Sequence, residues 1–168
     1  MTTATALLTD SGLRPASTGS ERSSRSAALT TGEVIRFKFS EGGTLLWQTL
    51  PALPPWVTDV ANKLEELLDL PFGWDTYQGE PIGQENVESG FQALISIIDV
   101  GTPRPHVVPT VRGGVQFEWH TPAADLEFEV LAPFRFQVLF ENHRSGEIEE
   151  REVTSDFGTL RDWVRILA

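Results

Sequence analysis

The sequence has no cysteine, few lysines and no long apolar run. The missing cysteine excludes disulfides, thiolate metal ligands and a cysteine nucleophile. No run approaches the roughly 20 apolar residues of a membrane helix, and the N-terminus lacks the basic start and apolar centre of a secretory signal. We therefore expect a cytoplasmic protein with no membrane partner, which agrees with the absence of disulfide chemistry.

Positive charge is also scarce. The chain carries 13 Lys and Arg against 24 Asp and Glu, a net charge of −11, and its only lysines are Lys38 and Lys63. Binding nucleic acid through phosphates needs clustered basic residues, so no direct nucleic-acid partner is expected. The excess of carboxylates instead suits the binding of a partner protein with a basic surface, or of a divalent cation.

The first 31 residues differ from the rest of the chain. Ser, Thr and Ala fill 18 of these 31 positions, and no aromatic residue occurs among them. Such a segment cannot bury enough apolar surface to offset its ordering entropy, so residues 1–31 are predicted to be a disordered tail. An alternative is folding on a partner, with Leu7, Leu8 and Leu13 as anchors. Residues 32–168 form one predicted domain.

Hydrophobic periodicity predicts an α+β fold for this domain. A hairpin with Phe37 opposite Trp47 comes first, and helices follow at 56–69 and 84–98. Strands then continue to "EIEEREV", whose charges suit a sheet edge, and a last helix is capped by Ser155 or Asp156. We expect a single domain with an antiparallel sheet of about four to six strands and two or three helices packed on one face.

The stretch "GGVQFEWHTPAADLEFEV" predicts a hairpin with an unusual polar face. A turn at residues 121–124 places Glu118 opposite Glu127 and Phe117 opposite Phe128, with all apolar side chains on one side. Extending the pairing into the next strand places Arg135 opposite Glu129. The candidate binding residues of this face are Glu118, His120, Asp125, Glu127, Glu129 and Arg135.

Three interpretations of this polar face remain open. It is an ordinary solvated sheet surface, a clamp for arginine or lysine of a partner, or a divalent-metal site at which the imidazole could also act as general acid or base. With one imidazole among carboxylates, Mg²⁺ or Mn²⁺ suits the site better than Zn²⁺. The metal candidates are Glu118, His120, Asp125 and Glu127, whereas His106 and His143 are interpreted as incidental.

The loop "FGWDTYQ" is the second candidate feature. Its Trp74 and Tyr77 either pack over the core to anchor the loop or form an aromatic recognition surface near the polar face. Asp75 either adds a carboxylate to that surface or closes the turn by hydrogen bonds to the backbone. We list Trp74, Asp75 and Tyr77 as candidate binding residues.

Together, "GWDTYQGEPI", "PHVVPTVRGGVQFEWH" and "DLEFEV" resemble a group of small uncharacterised bacterial proteins. These share a GWD-x-Y loop and a GGVQ-x-EWH hairpin followed by a D-L-E-x-E strand, and the resemblance covers about residues 70 to 130. It implies a recurrent unit, without an established activity, made of Trp74, Asp75, Tyr77, Glu118, Trp119, His120, Asp125 and Glu127. Small bacterial proteins of this type often lie near mobile or defence-related genes, an association only.

No strong catalytic motif is present: HExxH, GxSxG, the Walker loop and GxGxxG are all missing. We therefore expect a non-enzymatic, acidic interaction or regulatory module without a cofactor, of an antitoxin-like, immunity-like or defence-accessory kind. The alternative is a divalent-metal-assisted hydrolase that uses the carboxylates of the sheet face.

Overall fold

A computed structural model describes residues 53–155 and 157–168, together with the strand backbone at 35–38 and 44–47. The predicted disordered tail at 1–31 lies outside the described residues. The described chain is an α+β domain with a five-stranded antiparallel sheet and three helices, as predicted. The strands are β1 Ile35–Lys38, β2 Thr44–Trp47, β3 His106–Pro109, β4 Val115–His120, β5 Ala124–Ala132, β6 Arg135–Asn142 and β7 Glu147–Val153; the helices are α1 Val57–Leu68, α2 Gln84–Ile97 and α3 Gly158–Ile166.

The five-stranded sheet is a simple meander. Its strands lie in the order β3-β4-β5-β6-β7, so that each strand pairs with its neighbours in sequence, while β1 and β2 form a separate two-stranded pair. The edges of the larger sheet are β3 and β7. The prediction that "EIEEREV" forms a charged edge strand is therefore confirmed.

One face of the sheet carries the core. Side chains of β4 and β5 alternate between buried and half-buried positions, and Phe117 and Phe128 are fully buried opposite each other. Their rings lie 5.8 Å apart, and Phe136 continues the row at 4.9 Å from Phe128. The buried residues of all three helices join this same cluster, which confirms that the helices cover one face.

The first two helices begin and end within one residue of their predicted limits. The amide of Val57 bonds to the carbonyl of Pro54, so the prolines precede α1 where no helical hydrogen bond is lost. In α2, a β-carbon added at Gly90 would lie 2.7 Å from Val130 Cγ2. Glycine at this position therefore permits close contact between α2 and β5. None of the described helices has the length and apolar character to cross a membrane.

The last helix is held by aromatic contacts. Trp163 stacks on Phe140 with ring centroids 4.9 Å apart, and the guanidinium of Arg151 lies 4.8 Å from the Trp163 ring. The N-cap residue is Phe157, which makes no side-chain cap bond. The predicted cap at Ser155 was therefore wrong, and the alternative, Asp156, lies outside the described residues. Phe157 instead packs against Phe136 at 5.8 Å, so an apolar contact fixes the start of α3.

The predicted register of the first hairpin was wrong by two residues. Phe37 pairs with Leu45, and Trp47 pairs with Ile35. A displacement by two leaves the alternation of a strand unchanged. The hydrophobic pattern therefore did not distinguish the two registers.

Candidate functional site

The candidate site lies on the sheet face that points away from the helices. We call this surface the outer face. Its strand residues alternate with the core residues, and all three described helices pack on the opposite side. The charged and histidine residues of these strands on the outer face are His106, Glu118, His120, Asp125, Glu127, Glu129, Arg135, Glu141, Glu150 and Glu152.

The predicted pairing of β4 with β5 is confirmed. Glu118 lies opposite Glu127, with Phe117 and Phe128 paired beside them on the core face. A neighbour that the sequence did not suggest lies between the two carboxylates. The side-chain amide of Gln116 donates to Glu118 Oε1 at 3.0 Å and to Glu127 Oε2 at 3.2 Å, which offsets part of the repulsion between two glutamates that face each other.

The predicted pairing of β5 with β6 was wrong by two residues. Glu129 lies opposite Gln137 and not opposite Arg135, because the pairing shifts between Val130 and Ala132. A two-residue turn follows, in which Phe134 adopts a φ of 59°. Left-handed backbone is unusual for phenylalanine, so sequence propensities did not indicate that Phe134 belongs to the turn.

In the observed register, two predicted site residues have partners other than each other. Arg135 donates to Glu152 on β7 at 2.6 Å, and this carboxylate raises the pKa of the guanidinium by hydrogen bonding and charge. Glu129 accepts a bond from Arg112 at 2.8 Å instead. Both ion pairs are accessible to water and contribute little to stability, but each neutralises one carboxylate of the outer face.

At the far end of the hairpin, two histidines converge on one carboxylate. His120 Nδ1 lies 3.2 Å from Asp125 Oδ1, and His143 Nε2 lies 3.3 Å from Asp125 Oδ2. Single ligand atoms of Asp125, Glu141 and His143 all lie within 4.8 Å of one another. We call His120, Asp125, Glu141 and His143 the histidine–carboxylate cluster. Glu118 borders it, 3.8 Å from His120 Nε2.

Two hydrogen-bonded turns position the cluster. The hydroxyl of Thr121 accepts bonds from the amides of residues 123 and 124, which closes the β4–β5 turn between His120 and Asp125. After β6, Asn142 Oδ1 accepts two backbone bonds, and the amide of His143 donates to the carbonyl of Ala123 at 3.0 Å. The two turns are therefore joined to each other.

Glu141 and His143 are the cluster residues that sequence reasoning missed. His143 follows the end of β6, where strand alternation no longer indicates which way a side chain points. The register of β5 and β6 indicates where His143 lies. Asp125 pairs with Glu141, and because the strands are antiparallel, the residue two positions after Glu141 lies beside the residue two positions before Asp125, which is Ala123. The metal ligands predicted from the sequence do not all lie in one group. Glu127 contacts Gln116, whereas Asp125 contacts the two histidines.

The GWD loop lies near the other end of the sheet. The amide of Glu80 bonds to the carbonyl of Val111, and Asn86 Nδ2 donates to the carbonyl of Gly113. Gly113 precedes β4 and His120 ends it, so at the rise of a β-strand roughly 20 Å separates the two ends. The loop is thus close to the Arg112–Glu129 end of the outer face and remote from the histidine–carboxylate cluster.

Within this loop the three candidate residues have different roles. Asp75 Oδ1 accepts bonds from the amides of Gly79 and Tyr77, both at 2.9 Å, and these bonds lower the pKa of Asp75. Trp74 Nε1 donates to the carbonyl of Glu80 at 3.1 Å. Tyr77 is 83% exposed. The interpretation that Tyr77 packs over the core was therefore wrong, whereas Asp75 closes the turn as one interpretation expected.

Comparison with protein-family models, with curated proteins and with solved structures finds no match to this chain.

Proposed function

We propose that the protein is a non-enzymatic interaction module that binds a basic surface of a protein partner through its outer face. The observation that supports this is the imbalance of charge on a face that no described helix covers. Seven carboxylates lie there against two arginines, Arg112 and Arg135, and both arginines are already paired. The carboxylates are Glu118, Asp125, Glu127, Glu129, Glu141, Glu150 and Glu152.

The unneutralised carboxylates form the centre of the proposed interface. Glu118 and Glu127 share the amide of Gln116, and Glu150 accepts a bond from Gln137 at 2.9 Å. In the described chain, no arginine or lysine contacts these three carboxylates. Charged donors of a partner would replace neutral amides, and charge-assisted bonds are about twice as strong as neutral ones.

The outer face also offers apolar contact. Leu139 lies between Glu127 on β5 and Glu150 on β7, and Ile148 on the edge strand is 63% exposed. Interfaces combine apolar contacts with a polar, hydrated rim. The stems of lysine and arginine side chains would cover these two residues while their charged ends reach the glutamates.

The test compares two variants with equal charge. One carries Glu118→Gln, Glu127→Gln and Glu150→Gln on the outer face; the other carries Glu66→Gln and Asp69→Asn at the end of α1 and Glu85→Gln on α2, on the helical side. An arginine-rich peptide, added to each in the presence of a metal chelator, should bind wild type and the helical-side variant alike and the outer-face variant at least about tenfold more weakly. Equal binding by the two variants, or no binding by wild type at low salt, would refute the proposal.

The same variants identify the physiological partner. A cytoplasmic protein from the native host that is captured by wild type and the helical-side variant, but not by the outer-face variant, is the expected result. Its identity, determined by mass spectrometry, decides among the antitoxin-like, immunity-like and defence-accessory roles.

A further inference from the structure

The histidine–carboxylate cluster has a chemistry that the rest of the outer face lacks. Two of the three histidines of the chain contact opposite oxygens of Asp125, one from each of the two joined turns. We propose that this cluster binds one divalent transition-metal ion, for which Zn²⁺ is the probe. The ligands are Asp125, Glu141, His143 and His120. The site does not depend on the proposed partner binding.

The spacing of three of the four proposed donors fits such an ion, and His120 contacts the second oxygen of Asp125. Four ligands at Zn–N and Zn–O distances of about 2.0–2.1 Å are separated from one another by about 3.3 Å in a tetrahedron. Asp125 Oδ2 and His143 Nε2 are 3.3 Å apart. Single ligand atoms of Asp125, Glu141 and His143 all lie within 4.8 Å of one another, so these three donors would approach by no more than about 1.5 Å to reach the separation of a tetrahedral site.

The charge of the cluster also favours a cation. In the described chain, neither Asp125 nor Glu141 contacts an arginine or a lysine, whereas Glu129 and Glu152 of the same face each have an arginine partner. Two carboxylates with two neutral imidazoles carry a charge of about −2, which a divalent ion would neutralise. The two joined turns hold the donors in place before the ion arrives.

The second imidazole changes the expected metal. One histidine among carboxylates favoured Mg²⁺ or Mn²⁺, because hard cations prefer oxygen ligands. With His143 the donor set becomes two nitrogens and two carboxylates, and imidazole suits Zn²⁺, Cu²⁺, Fe²⁺ and Ni²⁺. A large excess of Mg²⁺ should therefore fail to displace Zn²⁺ from this site.

The experiment is calorimetric titration of the full chain with Zn²⁺ in chelator-free buffer. Wild type should bind one ion per chain, and Asp125→Asn, Glu141→Gln and His143→Ala should each weaken binding roughly tenfold or more. Two matched controls, Glu127→Gln and His106→Ala, remove a carboxylate and a histidine of the same face outside the cluster. Both controls should bind Zn²⁺ as wild type does.

Circular dichroism confirms that each variant is folded before titration, and the exposed position of His143 makes its variant the safest one to interpret. The proposal is overturned if wild type binds no Zn²⁺, if His143→Ala binds as tightly as wild type, or if Glu127→Gln weakens binding as much as Glu141→Gln. The last result would place the ion on the β4–β5 hairpin instead.

Discussion

At the scale of single residues, Asp75 stabilises the GWD loop through its charge. Two backbone amides donate to its carboxylate and lower its pKa from the ordinary value of 3.8. A group with a lowered pKa in the folded state contributes stability above its ordinary pKa, and that contribution is lost as the pH falls through the lowered value.

The first prediction follows from the lowered pKa of Asp75. In an NMR titration with acid, the amide signal of Gly79 should move with a midpoint below pH 3.8. Asp75→Asn should keep the loop, since an amide oxygen also accepts both bonds, but should abolish this titration. A midpoint at or above 3.8 in wild type would show that the two bonds do not favour the ionised carboxylate.

Glu65 on α1 is a buried carboxylate that is expected to lower the stability of the fold. It is 5% exposed, and neither of its carboxylate oxygens has a hydrogen-bond partner in the described part of the chain. Burying an unsatisfied polar group costs about 1–3 kcal/mol.

We therefore expect Glu65→Leu to increase the free energy of unfolding by about 1–3 kcal/mol, measured by urea denaturation. The neighbouring substitution Glu66→Leu is the control, because Glu66 is exposed and its carboxylate pairs with exposed Lys63 at 3.2 Å. It should change stability by less than about 0.5 kcal/mol. Loss of stability in Glu65→Leu would indicate that the carboxylate has a stabilising partner.

At the scale of secondary-structure elements, the contact between α2 and the sheet depends on Gly90. Alanine favours a helix over glycine by up to about 1 kcal/mol. A β-carbon at Gly90, however, would lie 2.7 Å from the stiff side chain of Val130, and overpacking costs about 1–3 kcal/mol. The second effect should be the larger.

Gly90→Ala should accordingly lower the melting temperature. The matched control is Gly101→Ala, where the added β-carbon would meet only Asp99 Oδ1 at 3.5 Å, an ordinary contact. That variant should be neutral or more stable by up to about 1 kcal/mol, because alanine restricts the unfolded chain. A rise in melting temperature for Gly90→Ala would mean that α2 can move away from β5 at little cost.

The β4–β5 hairpin gives a further prediction. Replacing Glu118 by Gln removes the like charge opposite Glu127 and keeps a side chain that can bond to Gln116. Thermal unfolding should show stability unchanged or increased by up to about 1 kcal/mol. Glu150→Gln, which lies opposite Leu139, should have no such effect. A large loss in Glu118→Gln would mean that the charge of Glu118 has a specific structural partner.

The same strands show how much the sequence could predict. Alternation assigns each side chain of β4, β5 and β6 to a face, and these assignments were correct because a shift by one residue would bury the glutamates. Alternation does not fix register, since a shift by two is equally compatible with it. The β4–β5 register was correct because its turn was placed correctly, and the β5–β6 register was wrong because Phe134 belongs to the turn between these strands.

Prediction of the candidate site has the same limit. Glu118, His120 and Asp125 lie on one hairpin and were placed together correctly, because their spacing depends on local pairing alone. Glu141 on β6 and His143 in the turn after it join them, so their position depends on the register that alternation leaves open.

At the scale of the whole molecule, the open sheet has two edges that must avoid pairing with other molecules. The edge strand β7 carries five charged residues among its seven, and such charges oppose edge-to-edge association. The variant Glu147→Gln, Glu150→Gln and Glu152→Gln should therefore associate with rising concentration, towards the mass of a dimer in analytical ultracentrifugation. The variant with Glu66→Gln, Asp69→Asn and Glu85→Gln, which loses equal charge, should behave as wild type; association of both variants would attribute the effect to net charge.

The meander order has a consequence for synthesis on the ribosome. Helices α1 and α2 are translated before any strand of the sheet that they cover. At about 5–20 residues per second, several seconds pass between the end of α2 and the end of β6. During that time Val87 and Leu94, both buried in the finished domain, have no sheet to pack against. We therefore expect the two helices to pack stably only after the strands that follow them have been made.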